Sequence, residues 1–92
     1  MYALIWTEQF SRAVKKFIRK QPELKSGLAE TLSDLEKDPM KPNLKLHALS
    51  GQLKGMHALS LTYSYRITLT IKIVEGEIIL IDIGSHDDLY RR

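Results

Sequence analysis

The stretch from residue 65 to residue 83 reads YRITLTIKIVEGEIILIDI and predicts two adjacent β-strands. Glu75 and Gly76 are turn residues between them. The run from 77 to 83 is almost continuously apolar, as expected of a central strand covered on both faces. In the first strand polar residues, Arg66 among them, alternate with apolar ones that form the buried face: Tyr65, Ile67, Leu69, Ile71 and Ile73. Arg66 is therefore expected to point away from the core.

Shorter strands are predicted elsewhere in the chain. The first covers residues 2–6, at the beginning of the sequence. Two more cover residues 44–49 and 56–62, with a turn at Ser50 and Gly51 between them. All the strands after residue 43 are joined by short turns, which predicts an antiparallel meander.

Helical spacing replaces alternation between residues 7 and 38. Thr7 is the predicted N-cap of a first helix, and Pro22 suits the first turn of a second helix that ends at Asp38. The two form a helical hairpin. The outer face of the first helix is basic and is either a solvated surface or one that steers RNA: Arg12, Lys15, Lys16, Arg19 and Lys20.

These elements predict an α+β fold: an N-terminal strand, a helical hairpin across one face of an antiparallel meander, and a short C-terminal turn or helix at 84–92. A length of 92 residues predicts a single domain, 1–92. The absence of cysteine excludes disulfides and thiolate metal sites. No signal peptide or membrane-spanning run is visible, so we expect a cytoplasmic protein without membrane contact. The net charge of +3 weakly favours a polyanionic partner.

Three stretches resemble the RelE/ParE superfamily, whose members are toxins of type II toxin–antitoxin systems, and are most similar to its YafQ, YoeB and RelE branches. Residues 47–55 (HALSGQLKG) resemble the segment H-x-L-x-G-x-x-x-G. Residues 65–67 (YRI) look like the strand that carries the family's arginine, and residues 84–90 (GSHDDLY) look like the ending of the YafQ branch. The resemblance covers nearly the whole chain.

The resemblance implies an mRNA interferase, a metal-independent endoribonuclease that cuts messenger RNA on the ribosome and inhibits translation. The ribose 2′-hydroxyl attacks the adjacent phosphate and the 5′-oxygen leaves, which requires a proton acceptor, a cation and a proton donor. A cognate antitoxin protein, mRNA and the ribosome are the implied partners. No metal, small-molecule cofactor or membrane is implied.

Three residues are the catalytic candidates. Arg66 offers paired donors to phosphate oxygens, although a cross-strand salt bridge is its structural alternative. His86 suits proton transfer near neutral pH. His47 matches a family histidine, with a satisfied strand histidine as the alternative. His57 has no family counterpart and is interpreted as structural or exposed.

Three further residues are RNA-binding candidates. Lys54 offers a second cation, or is only an exposed hairpin lysine. Tyr90 stacks on a base, or anchors the C-terminal segment by packing its ring. Asp87 orients the His86 imidazole, or is a solvated acid.

The chain departs from the family at positions of proton transfer. Ser60 and Ser64 stand where the YafQ branch has a histidine and an aspartate, and Asn43 stands where the YoeB branch has a glutamate. Either His47 or His86 acts as the base, or the ribosome and substrate contribute it, or the chain is weak or inactive. The alternatives are a catalytically degenerate antitoxin-binding protein and a ParE-like DNA gyrase poison; His86 argues against the second, because that branch lacks the histidine-bearing ending.

Overall fold

The computed structural model describes residues 1–61 and 67–85 of the chain. Within them the α+β fold is confirmed, with two helices on a five-stranded sheet whose strand order is β1-β5-β4-β3-β2. The elements in chain order are β1 (Ala3–Trp6), α1 (Glu8–Lys20), α2 (Lys25–Lys37), β2 (His47–Ala48), β3 (His57–Ser60), β4 (Ile67–Val74) and β5 (Glu77–Ser85). No helix in the described part of the chain is long and apolar enough to cross a membrane.

The predicted meander is present from β2 to β5, because each of these strands pairs with the next in antiparallel orientation. The predicted turn at Glu75 and Gly76 joins β4 to β5, and both residues have positive φ angles. β1 lies on the far side of β5 and runs parallel to it, so the sheet is mixed. β5 is therefore central, with β1 and β4 as neighbours.

Thr7 fixes the start of α1, as the sequence predicted. Its hydroxyl accepts a hydrogen bond from the backbone N–H of Phe10 at 3.1 Å, the geometry of an N-cap. The same hydroxyl donates to the carbonyl oxygen of Leu80 at 2.6 Å. One side chain thus caps the helix and joins it to the central strand.

The core lies between the helices and one face of the sheet. Phe10 and Phe17 of α1 and Leu28 and Leu35 of α2 are buried there. They pack against the alternate residues of three strands, which are Leu59, Leu69, Ile71, Ile78, Leu80 and Ile83. Residues between these positions, such as Ala58 and Thr70, consequently lie on the second face, which the helices do not cover.

The strand predicted at 44–49 is mostly wrong, because only His47 and Ala48 are extended and paired. Residues 42–44 form a 3-10 turn, and Lys45 has a φ of 52°, which ends any strand at that residue. The turn buries Leu44 in the core. Leu44, which begins the alternating pattern, therefore reaches the core from a turn and not from a strand of the sheet.

Three other boundaries differ from the prediction. The strand predicted at 56–62 is limited to His57–Ser60 in the described residues. Pro22 begins a 3-10 turn, and α2 itself begins at Lys25. Of the predicted C-terminal turn at 84–92, Gly84 and Ser85 belong to β5, and the remainder lies outside the described residues.

The second face of the sheet is more buried than the sequence suggests. Thr70 and Ala58 lie on the face that the helices do not cover, yet their exposed fractions are only 5% and 0%. Lys72, two residues beyond Thr70, is exposed as predicted. A β-bulge interrupts the β4–β5 pairing here, because Thr70 pairs with Asp82 and Ile71 with Leu80, which leaves Ile81 as the additional residue.

Candidate functional site

Four of the six candidate site residues lie outside the described residues. These are Arg66, His86, Asp87 and Tyr90. Ser64, one of the family departures, lies there too. The geometry of the site is therefore built from His47, Lys54 and the strands that lead to the other candidates.

Three strand termini meet at one end of the sheet. Because successive strands are antiparallel, the end of β3, the beginning of β4 and the end of β5 share that end. Ile67 pairs with Ser85 as the last described pair of the β4–β5 ladder. Arg66 directly precedes one of these residues, and His86 directly follows the other.

His47 stands at the beginning of β2, level with Thr70 in the middle of β4 and three positions from Ile67. It pairs with Ala58 of β3, so its side chain is on the face that the helices do not cover. The residue is exposed, and its ring nitrogen Nδ1 lies 3.1 Å from the carbonyl oxygen of Lys45. A carbonyl oxygen only accepts hydrogen bonds, so this contact places the proton of the neutral ring on Nδ1. Nε2 is then the nitrogen with a free lone pair.

The backbone of Lys45 makes this contact possible, and sequence analysis did not identify it. Its left-handed conformation, φ 52° and ψ 45°, directs the carbonyl towards the ring two residues later. A non-glycine residue adopts this conformation at a cost, and such residues occur frequently at functional sites. Lysine carries no signal for a left-handed turn, so the residue type did not reveal it.

Lys54 is exposed in the loop between β2 and β3. Its backbone N–H bonds to the carbonyl of Gly51 at 3.2 Å and closes a 3-10 turn. The loop joins the end of β2 to the beginning of β3, so it lies at the opposite end of this strand pair from Ser60. The structure does not bring Lys54 to the strand termini next to Arg66 and His86.

The glycines of the 47–55 motif have a backbone role. Gly51 has a φ of +66° and Gly55 a φ of +95°, conformations that side chains with a Cβ rarely adopt. The motif spacing therefore specifies the tight loop that pairs β2 with β3.

Asn43 contributes to a polar cluster at the end of α2. It lies beside Asp34, whose carboxylate accepts a 2.9 Å hydrogen bond from Lys41 Nζ. The Lys41 hydrogen bond, opposed by desolvation, holds the pKa of Asp34 below its usual value of 3.8. The amide that replaces the YoeB-branch glutamate is thus used structurally in this chain.

Ser60 and His57 occupy different faces of β3. Ser60 pairs with Thr68 on the face shared with His47, and its hydroxyl needs an adjacent base to react at neutral pH. His57 shares the face of the buried Leu59 and points towards the core side, where its Nδ1 is buried and has no hydrogen-bond partner. The structure thus places His57 in a packing environment, as one of the two interpretations predicted.

Asp82 is a buried polar residue that the sequence analysis did not select. Its carboxylate accepts hydrogen bonds from the backbone N–H of Ile83 at 2.9 Å and from Gln9 Nε2 at 3.3 Å. It thereby joins the end of β5 to the first turn of α1. A single acid within the apolar run 78–83 is the signal that identifies it.

The described ranges, 1–61 and 67–85, contain no group of three or more histidine, aspartate or glutamate side chains arranged to hold a metal ion.

Comparison with solved structures identifies close relatives of this fold. A copper-bound mutant toxin from Helicobacter pylori shares 26% sequence identity, with a TM-score of 0.80 over 98% of this chain and 100% of that one. YafQ from Escherichia coli strain BL21(DE3) shares 20% identity, with a TM-score of 0.80 over 98% and 99%. The E. coli DinJ–YafQ toxin–antitoxin complex matches at 21% identity, with a TM-score of 0.77 over 97% of each chain.

Comparison with curated protein sequences gives no match. A family model described as the bacterial toxin of type II toxin–antitoxin system, YafQ, matches residues 2–91, nearly the full length. This match agrees with the architecture and with the resemblance of residues 47–55, 65–67 and 84–90. The chain therefore belongs to the YafQ family of toxins of type II toxin–antitoxin systems.

Proposed function

We propose that this toxin, as a single domain of residues 1–92, is a metal-independent endoribonuclease that cleaves mRNA on the ribosome and arrests translation. Its partner outside the ribosome is a cognate antitoxin protein, as DinJ is for the related E. coli YafQ. The cytoplasm is its proposed location, because its mRNA substrate and the ribosome are found there.

The arrangement of the strands on one sheet supports this proposal. His47 is exposed on the face that the helices do not cover, three residue positions along the sheet from the Ile67–Ser85 pair, and the chain continues directly from that pair into Arg66 and His86. Phosphodiester cleavage by an internal 2′-hydroxyl needs two proton-transfer groups and a cation close together. This chain has those three residue types on, or directly next to, strands of one sheet.

In the proposed reaction, His47 Nε2 accepts the proton of the ribose 2′-hydroxyl as its oxygen attacks the phosphorus. Arg66 stabilises the negative charge that develops on the phosphate oxygens. The P–O bond to the 5′-oxygen breaks, and His86 donates a proton to that oxygen. The products are a 2′,3′-cyclic phosphate and a 5′-hydroxyl. Lys54, Tyr90 and Asp87 are proposed to contact the RNA.

The orientation of His47 supports its assignment as the base. The neutral ring with Nδ1–H held by the Lys45 carbonyl has its acceptor at Nε2, which suits proton removal. His86 is then left with the acid role. This assignment supplies a base despite Asn43, Ser60 and Ser64.

The test is a reconstituted translation reaction with a defined message, in which new 5′ ends are mapped after the toxin is added. We expect cuts that need ribosomes, that persist in EDTA-treated toxin diluted into the reaction, and that carry 5′-hydroxyl ends. Arg66→Ala should abolish them and His47→Ala should reduce them about 10²- to 10⁴-fold, whereas Lys72→Ala, a control on the exposed part of β4, should leave them unchanged.

Other outcomes separate the alternatives. Cuts on naked RNA would indicate a ribosome-independent nuclease. An intact message in every reaction would contradict the nuclease proposal and favour the gyrase poison, which supercoiling assays detect, or the degenerate binding protein, which only antitoxin binding detects.

A further inference from the structure

Two non-glycine residues in the described part of the chain have positive φ angles, Lys45 and Glu75. Glu75 belongs to the turn between β4 and β5, which accounts for its conformation. Lys45 instead follows a 3-10 turn and lies two residues before His47. Because the left-handed region is unfavourable for lysine, the neighbouring residues must hold Lys45 in this conformation.

The residues on both sides of Lys45 are anchored to the core. Leu44 has an exposed fraction of only 2%, and Leu46 packs against the same core cluster. The backbone N–H of Lys45 donates to the carbonyl oxygen of Pro42 at 3.2 Å, and that of Leu44 donates to the carbonyl oxygen of Lys41 at 3.0 Å. These contacts fix the backbone of Lys45 from both directions.

The same turn is bound to the second helix. Lys41 Nζ donates a 2.9 Å hydrogen bond to the carboxylate of Asp34 in α2. Pro42 restricts the preceding Lys41 to an extended backbone, with a φ of −56° and a ψ of 127°. We call residues 41–45 the brace. Because the brace is bound to α2 and to the core, the fold sets the direction of the Lys45 carbonyl.

His47 is held independently by the sheet. Its backbone pairs with Ala58 of β3, while its ring nitrogen Nδ1 lies 3.1 Å from the carbonyl oxygen of Lys45. A histidine side chain that is free in water carries its proton mainly on Nε2. The Lys45 carbonyl reverses this preference, because a carbonyl can only accept and therefore stabilises the Nδ1–H form. The lone pair on Nε2 is then on the far side of the ring from the brace.

We infer that Lys45 is a positioning residue for His47: its left-handed backbone holds the imidazole in the Nδ1–H form and so presents Nε2 to the substrate. The effect depends on the backbone conformation of Lys45 and not on its ammonium group. The catalytic part of this inference rests on the proposed function, whereas the tautomer does not. Position 45 should therefore accept residues that adopt a positive φ and reject those that do not.

Three substitutions at position 45 separate the backbone from the side chain. Lys45→Gly, Lys45→Ala and Lys45→Val all remove the ammonium group, but glycine adopts a positive φ freely, alanine about as lysine does, and valine very rarely. Lys72→Val is the matched control, because it makes the same exchange at an exposed strand position that suits valine. Circular dichroism checks folding, and Lys45→Thr, also β-branched but polar, replaces Lys45→Val if valine impairs it.

The first readout is the tautomer of His47, from ¹⁵N correlation spectra at high pH. We expect Nδ1–H in the unmodified toxin, in Lys45→Gly, in Lys45→Ala and in the Lys72→Val control, but mainly Nε2–H in Lys45→Val. The second readout is the cleavage rate in the reconstituted translation reaction. Lys45→Val should be slower than Lys45→Gly by about two- to tenfold, the effect expected from the loss of one hydrogen bond.

Two results would overturn the inference. An Nδ1–H ring in Lys45→Val would show that the backbone at position 45 does not control the tautomer. Equal cleavage rates of Lys45→Gly and Lys45→Val, despite different tautomers, would show that Lys45 does not act in catalysis. An absence of cleavage by the unmodified toxin would instead contradict the proposed function, and the tautomers alone would then decide whether Lys45 orients the ring.

Discussion

Thr7 shows how much one side chain can contribute in a small protein. Its hydroxyl caps α1 and also bonds to Leu80 of the central strand. We expect Thr7→Ala to lower the free energy of unfolding by about 1–3 kcal/mol, the sum of a lost cap and an unsatisfied backbone group. Thr7→Ser keeps the hydroxyl and should lose less than half as much. Urea unfolding followed by the fluorescence of Trp6 measures both, and equal losses would contradict the dual role.

The tautomer of His47 can be observed directly. If the Lys45 carbonyl holds Nδ1–H, correlation spectra of ¹⁵N-labelled imidazole at high pH should show Nδ1 protonated and Nε2 not. His47→Ala should reduce cleavage by about 10²- to 10⁴-fold, the usual contribution of a general base. An Nε2–H tautomer in the free toxin would argue against His47 as the base.

Asp34 gives a prediction about pH. Its pKa is lowered in the folded state, chiefly by the hydrogen bond from Lys41. A carboxyl of this kind stabilises the fold above its unfolded pKa, and this contribution is lost as the pH falls through the folded value. The stability difference between the unmodified protein and Asp34→Asn should therefore be larger at pH 7 than at pH 3.

The control for this prediction is Lys41→Met, which removes the hydrogen-bond donor. In that variant the pKa of Asp34, followed by NMR titration, should rise towards 3.8. If the pKa does not move, the Lys41 contact is not its cause.

At the scale of elements, the loop between β2 and β3 depends on backbone conformations that glycine permits. Gly55→Ala should destabilise the protein by about 1 kcal/mol, because its φ of +95° is unfavourable for alanine. Gly27 of α2 has open space around an added Cβ, so Gly27→Ala should stabilise by about 0.5–1 kcal/mol. The melting temperature should thus fall for Gly55→Ala and rise for Gly27→Ala. Shifts of the same sign would contradict the backbone role given to Gly55.

The elements also show what the sequence could predict. α1 was predicted well because a threonine cap and the spacing of Phe10 and Phe17 agree, and the β4–β5 hairpin because alternation and turn residues agree. β2 was overestimated because Leu44 has the alternating pattern of a strand but is buried by a 3-10 turn, and the left-handed Lys45 has no signal in its residue type. The 47–55 motif contains the two loop glycines, Gly51 and Gly55. Only the fold, however, shows that His47 and Lys54 lie at different ends of the β2–β3 pair.

At the scale of the whole molecule, the parallel pairing of β1 with β5 had no signal in local sequence patterns. It joins segments more than 70 residues apart, for example Ala3 with Glu77, and local periodicity contains no information on such a contact. The sequence predicted that β5 is central from its apolar run, but not which strand would lie on its second side. The burial of Thr70 and Ala58 could not be predicted from the sequence either, since both residue types also occur on exposed sheet faces.

The central position of β5 has a consequence for the synthesis of this toxin. The chain is made from its N-terminus, so β1, both helices, and β2 to β4 are all synthesised before residues 77–85 exist. Until then β1 has no strand to pair with, the capping hydroxyl of Thr7 has no Leu80 carbonyl, and α1 has no central strand to cover. A product released before residue 77 cannot complete the sheet, so interrupted translation yields unfolded fragments and not a partly active toxin.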